Sequence, residues 1–277
     1  MLSSCSNIRQ PGMMYVACSR VNTLSGYHLL EFKPEAIKAS ASTKEEMRRL
    51  RTEMKLQTFY YQLEKDPTCL RVLLFNIRSV QNKENHINSD PYLCSVDIMI
   101  LTETWERNKT DINVPQFHYK YHSVRTENRG GGVSVLSQTP MIPVQMQVSS
   151  DVCDAIVLPY KRDSAKLNII GVYSPPSCTF EKFIRWLTKI LVNIKRDIPT
   201  VIAGDFNINM LETSAAYRGL HVFMDHIHFK QVINTATHQV GGLLDHFWIN
   251  SGVTVSQQML ARSHYSDHFQ LFADLQL

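Results

Sequence analysis

No apolar stretch in the chain approaches the roughly 20 residues that crossing a bilayer takes. Its first ten residues, MLSSCSNIRQ, lack a basic region followed by an apolar core, so no secretory leader is read there. The six cysteines (Cys5, Cys18, Cys69, Cys94, Cys153 and Cys178) include no CxxC pair, which excludes a zinc knuckle or a thiol redox motif of the usual spacing. Isolated thiols in a chain of this length read as reduced, buried small hydrophobes, and together with the missing leader they predict a nuclear or cytoplasmic, unsecreted protein without membrane contact. Internal repeats and low-complexity segments are also missing. Charge of one sign is scarce: the net charge is +4, and residues 69–277 carry 19 Lys and Arg against 18 Asp and Glu. Nucleic-acid binding therefore cannot be read from charge and has to be argued from a site. What remains, 44% hydrophobic and 19% charged over 277 residues, is ordinary globular material: one large domain, or one with an appendage.

The chain changes character near residue 69. Before it, Thr43 with Glu46 three residues later makes a capping box, and Met47, Leu50 and Met54 share a face, which predicts a helix over 43–65 stopped by Asp66-Pro67. Further upstream, the runs Tyr15–Ser19 and Tyr27–Phe32, separated by the turn Leu24-Ser25-Gly26, read as a strand pair too small to fold alone. After residue 69 the sequence becomes a series of short apolar runs with polar ends: Leu70–Phe75, Ile98–Leu101, Val133–Leu136, Ala155–Leu158, Leu167–Tyr173, Val201–Ala203, Leu243–Ile249 and Phe269–Leu275. Continuous Val, Ile and Leu runs of this length predict strands covered on both faces. Phe183, Trp186, Leu187, Ile190, Leu191 and Ile194 recur at helical spacing, predicting an amphipathic helix against a sheet. Strands interleaved with helices imply a layered α/β or α+β architecture.

The chemistry-bearing residues sit at the ends of these runs. Asn76, Glu103, Asp205 with Asn207, Asp245, and Ser266-Asp267-His268 each lie at or beside one, and strand ends are where a sheet can expose side chains into a shared mouth. Such a set suits phosphodiester hydrolysis. Mg2+ is a hard cation that takes oxygen ligands, few of them from protein, and neutralises charge on phosphoryl oxygens. A His whose second ring nitrogen is held by an Asp keeps one tautomer, and a further carboxylate can orient or deprotonate water. Other features read as structural. Arg129 with Gly130-Gly131-Gly132 matches neither a phosphate-binding lysine loop nor a dinucleotide fingerprint and predicts a tight turn entering a strand. His226 and His228 lack zinc-ligand spacing and are expected at the surface. Lys161, Arg162 and Lys166, expected between two strands, and Lys195-Arg196, expected at a helix end, could touch backbone phosphates but read first as solvated surface.

The wording of seven successive segments, LLFNIRS (Leu73–Ser79), LTETW (Leu101–Trp105), RGGGVSVL (Arg129–Leu136), GVYSPP (Gly171–Pro176), AGDFNIN (Ala203–Asn209), LLDHFWI (Leu243–Ile249) and YSDHFQLF (Tyr265–Phe272), resembles the endonuclease/exonuclease/phosphatase superfamily. Apurinic endonucleases, pancreatic DNase and the endonuclease domains of LINE-type retrotransposons belong to it, and the resemblance spans residues 69–277. It implies a four-layered α/β sandwich, two packed sheets flanked by helices, with the site at one edge. It also implies Glu103 as direct ligand of Mg2+ or Mn2+, with Asn76 and Asp267 in the metal's surroundings. Tyr173 and Asn207 would contact the phosphate, Asp205 would handle the attacking water or the leaving oxygen, and Asp245 would orient His268 toward the phosphate. One departure is Arg78, where apurinic endonucleases carry an Asp. NIRS is nearer to mobile-element endonucleases, which makes DNA the expected partner.

Residues 14–40 resemble the last conserved block of Pif-type helicases, in which the Arg of a pair such as Ser19-Arg20 reaches a nucleotide phosphate. No Walker lysine motif accompanies it, so Arg20 is expected to be an ordinary solvated residue and residues 1–40 a vestige, joined by a helical linker (41–68) to the nuclease-like domain (69–277). The combination resembles the end of Helitron-type transposon proteins, which implies a DNA endonuclease of transposon origin, with an upstream helicase as a further partner. The alternatives are a related phosphatase or RNA exonuclease, or a catalytically silent DNA-binding remnant.

Overall fold

A computed structural model describes residues 2–4, 10–13, 16, 28–31, 33, 38–52, 65–90, 93–106, 112–123, 130–144 and 152–276. The chain separates into two compact units, residues 1–62 and 63–277. In the first, strand β1 (Leu2–Ser4) pairs in parallel with β2 (His28–Glu31), followed by helix α1 (Ala41–Thr52). The expected partner run, Tyr15–Ser19, lies outside the described residues apart from Val16, as do Arg20 and the 24–26 turn. The helix starts two residues earlier than its capping box suggested. Ser40 supplies the cap, its Oγ accepting from the Thr43 amide at 3.0 Å, because Glu46 is engaged by the Arg49 guanidinium at 2.7 and 2.9 Å instead of reaching back to the helix start. The expected extension over 53–64 lies outside the described residues.

The second unit begins with β3 (Leu70–Asn76), short helix α2 (Glu84–Ser89), β4 (Ile98–Thr102), β5 (Tyr119–Ser123) and β6 (Val133–Ser137). It continues with β7 (Asp154–Arg162), β8 (Ala165–Tyr173), α3 (Phe180–Leu191), β9 (Thr200–Asp205) and α4 (Ala215–His226). Strands β10 (Lys230–Gln231), β11 (Asp245–Ile249), β12 (Thr254–Arg262) and β13 (Phe269–Gln276) complete it. Among the described residues these strands form a six-stranded sheet, β12-β13-β3-β4-β6-β5, and a five-stranded sheet, β10-β11-β9-β8-β7. Each sheet holds one parallel pair, β3 with β4 and β8 with β9, and is otherwise antiparallel.

Side chains alternate across β9: Val201 and Ala203 enter the core between the sheets, and Ile202 enters a second core under the helices. Phe183, Trp186, Leu187 and Ile190 of α3 fill that second core with Leu220 and Met224 of α4. Both faces of the central strands are thus buried, the physical reason their sequences are unbroken apolar runs. These two packed mixed sheets with helices are the α/β sandwich expected. Gly204 marks a close approach between the paired strands β8 and β9, since a Cβ there would stand 1.9 Å from the Val172 carbonyl oxygen. A buried ion pair, Arg71 to Asp274 at 2.6 Å through both guanidinium arms, ties β3 to β13.

Several expectations shift in detail. Lys161, Arg162 and Lys166 are exposed on the β7–β8 hairpin strands themselves, and α3 ends at Leu191, before Lys195-Arg196. His226 and His228 are exposed as expected. Gly130, Gly131 and Gly132 turn into β6 with φ of 102, 81 and 89°, and a Cβ at Gly132 would meet the Thr104 hydroxyl at 2.8 Å. Arg129 lies outside the described residues.

Candidate active site

The parallel pair in each sheet ends at the same edge of the sandwich, and the antiparallel strands β11 and β13 begin there. Asn76 closes β3, Glu103 follows β4, Tyr173 closes β8 and Asp205 closes β9. Asp245 opens β11 directly opposite Asp205, which in turn is in register with Tyr173, and His268 immediately precedes β13. The topology alone therefore gathers residues that are up to 192 positions apart in sequence, Asn76 to His268. The pattern of apolar runs ended by polar residues is its sequence trace.

Hydrogen bonds join the gathered residues. The buried Asn76 amide donates to Glu103 Oε1 at 3.0 Å and to Asp205 Oδ2 at 2.8 Å, bridging the two sheets. Its own Oδ1 accepts from the Arg78 amide at 3.1 Å. Asp205 Oδ1 accepts from the Asn207 amide at 2.9 Å, and the Asn207 side chain donates to the Ser174 carbonyl at 2.8 Å. His268 Nδ1 donates to Asp245 Oδ2 at 2.8 Å, and the ligand atoms of Asp205, Asp245 and His268 all lie within 4.8 Å of one another. Tyr173 is buried at the end of β8.

The loops carrying these groups are held in left-handed backbone. Arg78, Ser79, Glu103, Trp105 and Asn207 have φ between 47 and 76°, a region costly for residues other than glycine. The cost is offset by a ladder running past the ends of β3 and β4: Ile77, Ser79 and Val80 amides donate to the carbonyls of Thr102, Glu103 and Thr104 at 3.1, 2.7 and 3.0 Å. Lys83 Nζ adds bonds to the Ile77 and Arg78 carbonyls at 2.5 and 2.9 Å. Ser266 Oγ, 2.7 Å from the Asn76 carbonyl, ties the His268 segment to the same turn.

Electrostatics within the site are strongly coupled. Burial, and then the neighbouring Asp245 charge, push the Asp205 carboxyl up to about 8. Burial alone would lower His268, but the Asp245 carboxylate, its hydrogen bond, and the charges of Asp205 and Asp267 together hold the imidazole up to about 9. Asp267 is partly buried, which works to raise it, yet the Arg78 guanidinium beside it prevails and holds it below the usual carboxylate range.

Two neighbours of Asp267 were not singled out as its partners by sequence. The half-exposed Arg78 guanidinium pairs with Asp267 Oδ2 at 2.5 Å, which gives this departure from the apurinic-endonuclease pattern a structural place. His238 Nε2 lies 3.2 Å from the same oxygen. His238 sits in a loop that Thr237, Gln239 and Phe269 lace to the starts of β11 and β13, and no periodicity or spacing marks it in the sequence. The donor set can also be tested against a divalent cation. Glu103 and Asp267 offer hard carboxylate oxygens, Asn76 holds Glu103 through its amide, and Asp267 Oδ1 is a buried atom without a hydrogen-bond partner. The residues present fit such an ion.

The comparisons with known proteins agree with this fold. A family model described as "Endonuclease/Exonuclease/phosphatase family" matches residues 73–268. Among solved structures, the endonuclease domain of TRAS1, a telomere-specific non-LTR retrotransposon, aligns with a TM-score of 0.62 at 11% identity, over 76% of this chain and 99% of that one. An AP endonuclease from Archaeoglobus fulgidus aligns at 0.58 and 17%, over 74% and 98%. The human Nocturnin catalytic domain with bound sulfate aligns at 0.57 and 17%, over 76% and 95%. At this identity the structures speak for the fold alone. By sequence, no curated protein matches the chain. Among the described residues no helix is long and apolar enough to cross a membrane.

Proposed function

The chain belongs to the endonuclease/exonuclease/phosphatase family, and on that premise we propose that it is a divalent-metal-dependent phosphodiesterase that nicks DNA. The observation that carries this reading is the pair of couplings at one edge, Asn76 with both Glu103 and Asp205, and His268 with Asp245. In this reading Glu103 would stand at a metal position and Asp205 on the path of a water, and the oriented His268 imidazole lies within 4.8 Å of Asp205.

Glu103 would hold Mg2+, or Mn2+ in its place, with Asn76 and Asp267 beside it; when bound, the ion supplies charge neutralisation at the phosphoryl oxygens. Asp205, with its carboxyl raised toward neutrality, orients the attacking water and exchanges a proton with it or with the leaving oxygen. Asn207 would donate to the scissile phosphate from its side-chain amide, in exchange for the contact to the Ser174 carbonyl. Tyr173, closing β8 beside Asp205, positions that phosphate. His268, oriented by Asp245 and held protonated by the surrounding carboxylates, directs its Nε2–H to substrate and stabilises charge at the phosphate.

The reading extends to a mobile-element origin, with residues 1–40 as a vestigial helicase-like segment, residues 41–68 as linker and residues 69–277 as the nuclease, acting in nucleus or cytoplasm with DNA and an upstream helicase as partners. The NIRS wording supports it. The test is nicking of supercoiled plasmid with and without Mg2+, alongside phosphoinositide and poly(A) substrates. Mg2+-dependent nicking abolished in both Glu103→Ala and His268→Ala is the expected result. Turnover of only the lipid or only the RNA reassigns the substrate, and inertness toward all three indicates a silent remnant.

A further inference from the structure

Beside the oxygen-rich set around Glu103, a second group of ligands meets on the same edge. His238, Asp267 and His268 each offer one ligand atom, all within 4.8 Å of one another. The two imidazoles face each other edge to face, with ring centroids 4.7 Å apart, across a backbone bridge between residues 238 and 268.

Each ring is already oriented through its other nitrogen. His238 Nδ1 accepts from the Val240 amide at 3.3 Å, which leaves Nε2 as the nitrogen facing Asp267. His268 Nδ1 donates to the buried Asp245 carboxylate, which leaves Nε2 to act as ligand. At His268 the far nitrogen donates to a carboxylate, the arrangement that metal-ligating histidines use; at His238 ligation through Nε2 takes the tautomer protonated at Nδ1, which exchanges the Val240 and Asp267 Oδ2 contacts for the ion. Asp267 keeps Oδ2 for Arg78 and His238 while its buried Oδ1 has no hydrogen-bond partner.

We propose that His238, Asp267 and His268 form a transition-metal site, suited to Zn2+, that shares Asp267 with the hard-cation position at Glu103 but does not use Glu103. Two imidazoles and one carboxylate select zinc-like ions, whereas Mg2+ prefers oxygen ligands and keeps its waters. Zinc bound there takes the His268 Nε2 that the proposed nuclease reaction needs, so the site is inhibitory. That consequence rests on the nuclease reading; the binding itself does not.

The full-length metal-free protein is titrated with Co2+ and followed by visible absorption, then back-titrated with Zn2+. The expected result is one equivalent of cobalt with the intense bands of four-coordinate geometry, displaced by Zn2+ but not by excess Mg2+. The signal persists in Glu103→Ala and in the exposed-histidine control His226→Ala. It disappears in His238→Ala and His238→Gln, both checked for native circular dichroism. Asp245→Asn, which removes the group holding His268, weakens binding about 10–100-fold. Independently of any variant, zinc-edge X-ray absorption of the wild type shows two imidazoles on the ion. Absent bands, binding untouched by the His238 changes, fewer than two imidazoles, or loss in Glu103→Ala alone each overturn the proposal. In the nicking assay, His238→Gln raises the zinc concentration for half-inhibition at least tenfold relative to wild type, and unchanged zinc sensitivity overturns the inhibitory role. A protein that nicks nothing yet gives the cobalt signature sinks the nuclease reading and leaves the site standing.

Discussion

Acid loosens this fold through one histidine that lies beside the site. His246 follows Asp245 on β11 and is fully buried, its ring stacked on Phe206 with centroids 4.6 Å apart. Its Nε2 donates to the Ile208 carbonyl at 2.9 Å and its Nδ1 accepts from the Gln231 amide at 3.0 Å, which satisfies the neutral imidazole completely. A second proton has nowhere to go. Gln231 cannot turn its oxygen toward the ring without giving up the Val232 and Phe247 amides that Oε1 accepts at 3.2 and 3.0 Å. Burial accordingly pushes His246 down from 6.5 to about 4.

The unfolded chain takes up this proton as pH falls below 6.5, and the folded chain only below about 4. Stability is therefore complete above pH 6.5 and falls as pH drops through that window, by about 2 kcal/mol at pH 5 and about 3 kcal/mol at pH 4. Urea denaturation across this range, compared between the wild type and His246→Phe, isolates the effect, because carboxylates that titrate nearby contribute to both. Phe keeps the ring stacking and loses the titration; its stability at pH 7 falls because Gln231 and Ile208 lose a partner, but its decline from pH 7 to 4 is shallower by about 3 kcal/mol. Parallel pH profiles for the two proteins refute the reasoning.

Other changes probe the frame and the site. Arg71→Ala strands the Asp274 carboxylate in the core and destabilises by about 3–5 kcal/mol, measured by urea titration; Arg71→Met with Asp274→Leu recovers most of that loss. Gly204→Ala forces a methyl against the Val172 carbonyl in the paired strand, costing more than the about 1–3 kcal/mol of ordinary overpacking, visible as lost soluble yield or a lowered Tm. Asp245→Asn frees His268 from its orientation and lowers plasmid nicking by about 10²-fold or more, while the circular dichroism spectrum stays native.

How far the sequence exposes this molecule depends on burial. β3, β4, β6 and β9 are buried along their whole length, so each had to be written as a continuous apolar run, and each is found within a residue or two of where that run predicts. β5 and β12 lie at the two ends of the six-stranded sheet, with one face largely in solvent, and their sequences YKYHS and TVSQQMLAR alternate too weakly to stand out. Helix α4 is missed for a similar reason, with Leu220 and Met224 as its buried residues. The site divides along the same line. Asn76, Glu103, Asp205, Asp245 and His268 can be found because each ends or begins a buried strand, where a polar residue interrupts an apolar run. His238 reaches the site from an irregular loop, held by backbone bonds to β11 and β13 that leave no periodic trace. The left-handed backbone at Glu103 and Asn207 is equally unreadable, since no glycine announces it and it exists only because the 77–80 segment and the Asp205 carboxylate supply the opposing hydrogen bonds. A local rule is broken there and compensated by contacts remote in sequence, whereas the left-handed non-glycine residues outside the site loops, Asn82, Asp163 and His228, sit in turns.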